Sequence, residues 1–103
     1  MADTTIFKAK YENHTIIYTV KIKPTSVELE LSIDDRFWDS STIGLALHAD
    51  NSDPRKADLQ GTFVENGVDY SVLVRLKKTF VDLMDIAPTL YINNKEVPLI
   101  RTN

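Results

Sequence analysis

Cysteine is absent from this 103-residue chain, which excludes a disulfide scaffold, a cysteine-ligated zinc or iron–sulfur centre and a thiol nucleophile. Glycine is scarce: the three residues stand at 44, 61 and 67, too scattered for a loop that cradles phosphate. No run approaches the roughly 18 apolar residues of a membrane-spanning helix, so no membrane partner is expected. A basic surplus is missing as well, because 12 Lys and Arg face 15 Asp and Glu for a net charge of −3. Nucleic-acid binding ordinarily concentrates cations against phosphates, so nucleic acid is not an expected partner. The opening Met1-Ala2-Asp3-Thr4-Thr5 has neither the basic start nor the apolar stretch of a secretory signal, which predicts a cytoplasmic protein. Without secretion, the acceptor-like triplet Asn13-His14-Thr15 carries no meaning.

What the chain has is an abundance of strand formers. Val, Ile and Thr supply 27 residues against six Ala, and their branched side chains suit a pleated surface better than a helix. Ile16, Tyr18, Val20 and Ile22 fall on one side of a strand, with Thr15, Thr19, Lys21 and Lys23 on the other. Val27, Leu29, Leu31 and Ile33 alternate with Ser26, Glu28, Glu30 and Ser32 in the same way. A period of two is what a half-buried strand requires.

Turn chemistry then sets expected registers. A turn at Asn13-His14 places Tyr11 against Ile16, Ala9 against Tyr18 and Phe7 against Val20. A turn at Pro24-Thr25 places Ile22 against Val27 and Lys21 against Glu28. Asn66-Gly67 tolerates positive φ at both central positions and sets Phe63 against Tyr70, Gly61 against Val72 and Leu59 against Val74. Gly61, with no side chain to oppose Val72, suggests a bulge or a bend. A third hairpin is expected around Asn93-Asn94-Lys95, between Thr89–Ile92 and Glu96–Ile100. Pro98 donates no ladder hydrogen bond, so that last strand belongs at an edge.

Three segments depart from the alternation. Residues 34–42 read as a polar connection enclosing two large aromatics. In residues 50–58, Asp53 before Pro54 suits the cap of one helical turn. Phe80, Leu83, Met84 and Ala87 fall at helical spacing, which predicts a short helix over 79–87 closed by Pro88, although the same letters also alternate as a strand. The expected fold is one all-β domain over residues 1–103: a small antiparallel β-sandwich of about seven or eight strands built from hairpins. The three irregular links serve as crossings between the sheets, and a closed β-barrel is the alternative.

Chemistry-bearing sets are sparse. His14 reads as a solvated turn residue and His48 as the polar side of a strand over 43–49, with no paired metal-ligand spacing. Asp50-Asn51-Ser52-Asp53 gathers hard oxygens but lacks the EF-hand glycine and glutamate. Ser40 or Ser41 with His48 and an Asp makes a triad only on paper, without a nucleophile elbow. The chain therefore reads as a non-enzyme with no cofactor and no metal.

The segment Asp35, Arg36, Phe37, Trp38, Asp39 stands out as a candidate binding site. It sets the single Trp beside a Phe and an Arg, residue types that concentrate at binding hot spots. Either the aromatics plug one end of the core, or at least one is an exposed anchor. The expected function is a protein-interaction module of the small inhibitor, immunity or adaptor type, which binds a protein partner through an exposed loop or sheet edge; a homodimer is a further possibility. The alternative is a carbohydrate- or lipid-binding β-domain that stacks ligand on Tyr18, Trp38, Tyr70 and Tyr91.

Overall fold

The alternating segments become antiparallel strands in two facing sheets. A computed structural model describes residues 3–24, 26–44, 58–76 and 88–102. Its strands are β1 (Asp3–Tyr11), β2 (His14–Ile22), β3 (Ser26–Ile33), β4 (Arg36–Gly44), β5 (Leu59–Glu65), β6 (Val68–Leu76), β7 (Pro88–Ile92), β8 (Lys95–Val97) and β9 (Ile100–Arg101). Sheet A runs β4-β3-β2-β1-β9 and sheet B runs β5-β6-β7-β8. The two sheets are not joined into a closed barrel, so the fold is a β-sandwich. The expected helix over 79–87, the Asp53 cap and residues 45–49 of the expected strand 43–49 lie outside the described residues.

Two registers match the sequence reading. In the pairing of β2 with β3, Ile22 lies against Val27 and Lys21 against Glu28, as expected. Asn66-Gly67 brings Phe63 against Tyr70 and Gly61 against Val72, with φ of 51° and 75° at the two turn residues. At the first hairpin the register differs by two residues: Tyr11 faces His14, Ala9 faces Ile16 and Phe7 faces Tyr18. The turn is Glu12-Asn13, with Glu12 at φ 54°. A shift of two preserves every side chain's face, so the apolar pattern alone does not distinguish the two pairings.

Residues 34–42 are no crossing between sheets. Asp34 and Asp35 both take positive φ, 53° and 63°, and fold a tight hairpin from which β4 returns along β3. Short polar side chains tolerate this left-handed backbone better than most. At the third hairpin the turn is Asn93-Asn94, with φ of 50° and 67°, and Lys95 already belongs to β8. The expected strand over 96–100 is split. Pro98 ends β8 at the edge of sheet B, and after Leu99 the chain joins sheet A, where Ile100 pairs with Lys8 and Arg101 with Phe7.

The odd-numbered side chains of β3 and the matching faces of β1, β2, β5, β6 and β7 fill the space between the sheets. Tyr18, Ile16, Leu29, Leu31, Leu59 and Leu90 are among the fully buried. Each such aliphatic side chain contributes about 1.5–3 kcal/mol relative to exposure. No polar or charged residue is buried among the described residues. The exception at atomic level is the Tyr18 hydroxyl, which is buried without a hydrogen-bond partner. Burial, with the nearby charge of Asp58, pushes its ionisation upward.

An unsatisfied buried hydroxyl costs about 1–3 kcal/mol. Tyr18→Phe is therefore expected to raise the urea midpoint, by about 1 kcal/mol of stability. A loss of stability of that size would show that the hydroxyl is bonded.

Candidate functional site

The five residues singled out in the sequence run from the β3–β4 turn into the first part of β4, and of these Trp38 and Asp39 touch β5. Asp35 is exposed in the left-handed turn, and Arg36 opens the strand opposite Ile33. The register then slips: Ser32 faces Phe37 but Leu31 faces Asp39. Trp38 is the extra residue of this β-bulge, and an unpaired bulge residue re-aims the side chains around it.

Phe37 does not plug the core, and Trp38 is partly buried over the contact between the sheets. Phe37 lies on the outer face of sheet A and is 59% exposed. It borders a shallow hollow of about 290 Å³ lined also by Lys21, Glu28, Glu30, Ser40 and Thr42. Trp38 is 37% exposed and rests against Gly61 of β5. A Cβ placed on Gly61 would come within 2.9 Å of Ile33 Cδ1 and 3.1 Å of Trp38 Cγ. Gly61 is therefore a seat for sheet A, where the sequence reading expected a bulge or bend.

Asp39 is turned inward as a clamp. Its Oδ2 accepts the Gln60 backbone N–H at 3.1 Å and its Oδ1 accepts the Ser40 N–H at 2.9 Å. Gln60 sits on the outer edge of sheet B, so the carboxylate occupies an N–H that would otherwise face an open strand edge. Of the five candidates, Arg36, Phe37 and Trp38 are exposed, while Asp35 forms the turn and Asp39 accepts the Gln60 and Ser40 N–H groups.

Sequence reasoning missed a second constellation at the same end of the sandwich. His14 is no solvated turn residue; its side chain is 15% exposed. Nδ1 lies 2.5 Å from Asp34 Oδ2, and Nε2 lies 2.6 Å from Glu65 Oε2. The ring stacks on Phe63 at a centroid distance of 4.3 Å, and Phe63 stacks in turn on Tyr70 at 5.1 Å. Asp34 also accepts the Thr15 N–H at 2.8 Å. The bond to Asp34 raises the His14 pKa from its ordinary 6.5, with Glu65 adding and burial opposing. The Thr15 N–H, followed by the His14 bond, lowers Asp34 below the ordinary 3.8. The signal that would have found this set is the correct first register, which places His14 on the inner face beside Tyr11. His48 lies outside the described residues.

Elsewhere in sheet A, a lysine just past the end of β2 pairs with a glutamate of β3. Lys23 Nζ reaches Glu28 Oε1 at 2.6 Å and holds that carboxyl below its ordinary range. Of the tyrosines considered for ligand stacking, Tyr18 is wholly buried and offers no face to a ligand. Tyr70 is half-buried against Phe63. No cluster of three or more His, Asp or Glu arranged for a metal occurs among the described residues, and no helix there is long and apolar enough to cross a membrane. Comparisons with protein-family models, with curated proteins and with solved structures return no match.

Asp39→Ala removes the acceptor from the Gln60 N–H. The expected cost is about 1 kcal/mol in urea unfolding, the usual net worth of one hydrogen bond. An unchanged midpoint would mean that the clamp contributes nothing to closing the rim.

Proposed function

We propose that this protein is a cytoplasmic, non-enzymatic interaction module of the inhibitor, immunity or adaptor type. Its docking surface is β4 with the adjoining outer face of sheet A, and its ligand is another protein. The observation that carries this reading is the exposure of two adjacent aromatics, 59% for Phe37 and 37% for Trp38, on a strand and not on a loose loop. Large aromatics held rigid before contact lose little conformational freedom on binding, which is why a few of them dominate interface energetics. Arg36 beside them adds a planar cation suited to a carboxylate on the partner. The Lys21, Glu28 and Glu30 charges around the hollow supply a polar rim, as protein interfaces commonly have.

The test is affinity capture from the native cell extract followed by titration of the purified partner. Phe37→Ala is expected to weaken binding by about 2 kcal/mol or more, roughly thirtyfold. The melting temperature should stay unchanged, because the Phe37 side chain leaves no core cavity. Trp38→Ala serves less cleanly, since Trp38 also covers Gly61. Undiminished binding by Phe37→Ala would remove the proposed surface, and chemical turnover by the isolated chain would reject the non-enzymatic reading. Sedimentation of the isolated chain tells a second copy from a foreign partner.

A further inference from the structure

We infer that His14 works as a proton-operated clasp: the imidazolium ties the β3–β4 turn of sheet A to β5 of sheet B, and the neutral ring releases Glu65 and lets that end of the sandwich loosen. The argument is one of hydrogen-bond inventory. Ionised carboxylates only accept, so a ring with a carboxylate oxygen on each nitrogen must donate from both. The distances of 2.5 Å and 2.6 Å thus belong to the doubly protonated form. A neutral imidazole has one N–H and can hold one of the two acids, while its bare nitrogen faces the other acid's lone pairs.

Which acid is kept follows from the backbone. Asp34 stays beside Nδ1 because two further bonds hold it there: its Oδ1 accepts the Thr15 N–H at 2.8 Å, and its own N–H donates to the Thr15 carbonyl at 2.9 Å. Glu65 arrives from the opposite sheet as the last residue of β5, so it is the partner released. The groups facing the ring from every packed element are Asp34 of the β3–β4 turn, Glu65 and Phe63 of β5, and Tyr11 paired from β1. Tyr70 of β6 reaches it through the Phe63 stack, and Glu12, in the turn before it, is exposed.

The sign of the pH dependence follows from the two shifts. His14 has its folded pKa raised from 6.5, so its stabilisation is complete below 6.5 and is lost as pH rises through the folded value. Asp34 has its folded pKa lowered from 3.8, so its share is present above 3.8 and is lost as pH falls through the folded value. The clasp is closed between the two and opens on the alkaline side.

Trp38 is a built-in reporter. It is the one tryptophan of the chain, and it rests on Gly61 of the strand that ends in Glu65. The experiment follows Trp38 emission of the full chain from about pH 5 to pH 9, alongside the NMR ring signals of both histidines. A single emission transition centred above 6.5, the ordinary value for histidine, is expected, coincident with the His14 ring signals. It should vanish in His14→Gln and move to lower pH in Glu65→Gln, which lacks one of the two charges holding the proton. Emission that stays flat while His14 titrates, or a transition that persists in His14→Gln, overturns the inference. Should His14→Gln fail to fold, an unmoved midpoint in Glu65→Gln overturns it equally.

Discussion

The close approach of sheet A to β5 at Gly61 is the contact on which the described rim depends. Ile33 and Trp38 occupy the space where any other residue would carry a side chain. That proximity lets Asp39 reach the Gln60 N–H. Further along the same strand, the approach brings Phe63 under the His14 ring and Glu65 to its Nε2. Shape comes first here, and the polar bonds follow from it. Without a dry, close-packed seat, neither carboxylate would have a partner on the facing sheet.

Polar chemistry is accordingly confined to the margin. Between the sheets the described interior is apolar apart from one tyrosine hydroxyl, and the bonds that join the sheets lie at their ends and edges. Partly exposed ion pairs contribute little to stability by themselves. Their value lies in placement. Asp39 occupies an edge N–H that could otherwise recruit a strand, and Asp34 orients the turn that leads into Arg36, Phe37 and Trp38. The exposed aromatics of β4 and the Asp34 partner of His14 thus belong to the same turn end of the β3–β4 hairpin.

Much of this was legible from the residues alone. Period-two alternation over 15–33 identifies the buried faces of β2 and β3, and the expected registers of β2 with β3 and of β5 with β6 are the ones observed. At the first hairpin, turn chemistry and pattern also agree on Asn13-His14, but pairings two residues apart bury the same faces, and the chain turns at Glu12-Asn13, which places His14 at the rim. β4 was hidden for a different reason. Its Asp34-Asp35 turn lacks the glycine that usually announces such a hairpin, and the bulge at Trp38 breaks the alternation within the strand. Gly61 was noticed, but its role depends on what approaches from the other sheet, which no local pattern reports. Residue type marks Phe37 and Trp38 as candidates; Phe37 is exposed opposite Ser32 on the outer face, and Trp38 stands at the bulge.

The most direct test of this account is to put a methyl group on the seat. Gly61→Ala would place a Cβ 2.9 Å from Ile33 Cδ1 and 3.1 Å from Trp38 Cγ, and overpacking of this kind typically costs about 1–3 kcal/mol. Equilibrium unfolding of the variant, followed by Trp38 emission, is expected to show a loss within that range. The native emission should shift to longer wavelength as the indole is lifted into water. A variant as stable as the parent, with identical native emission, would contradict the claim that the two sheets close upon Gly61.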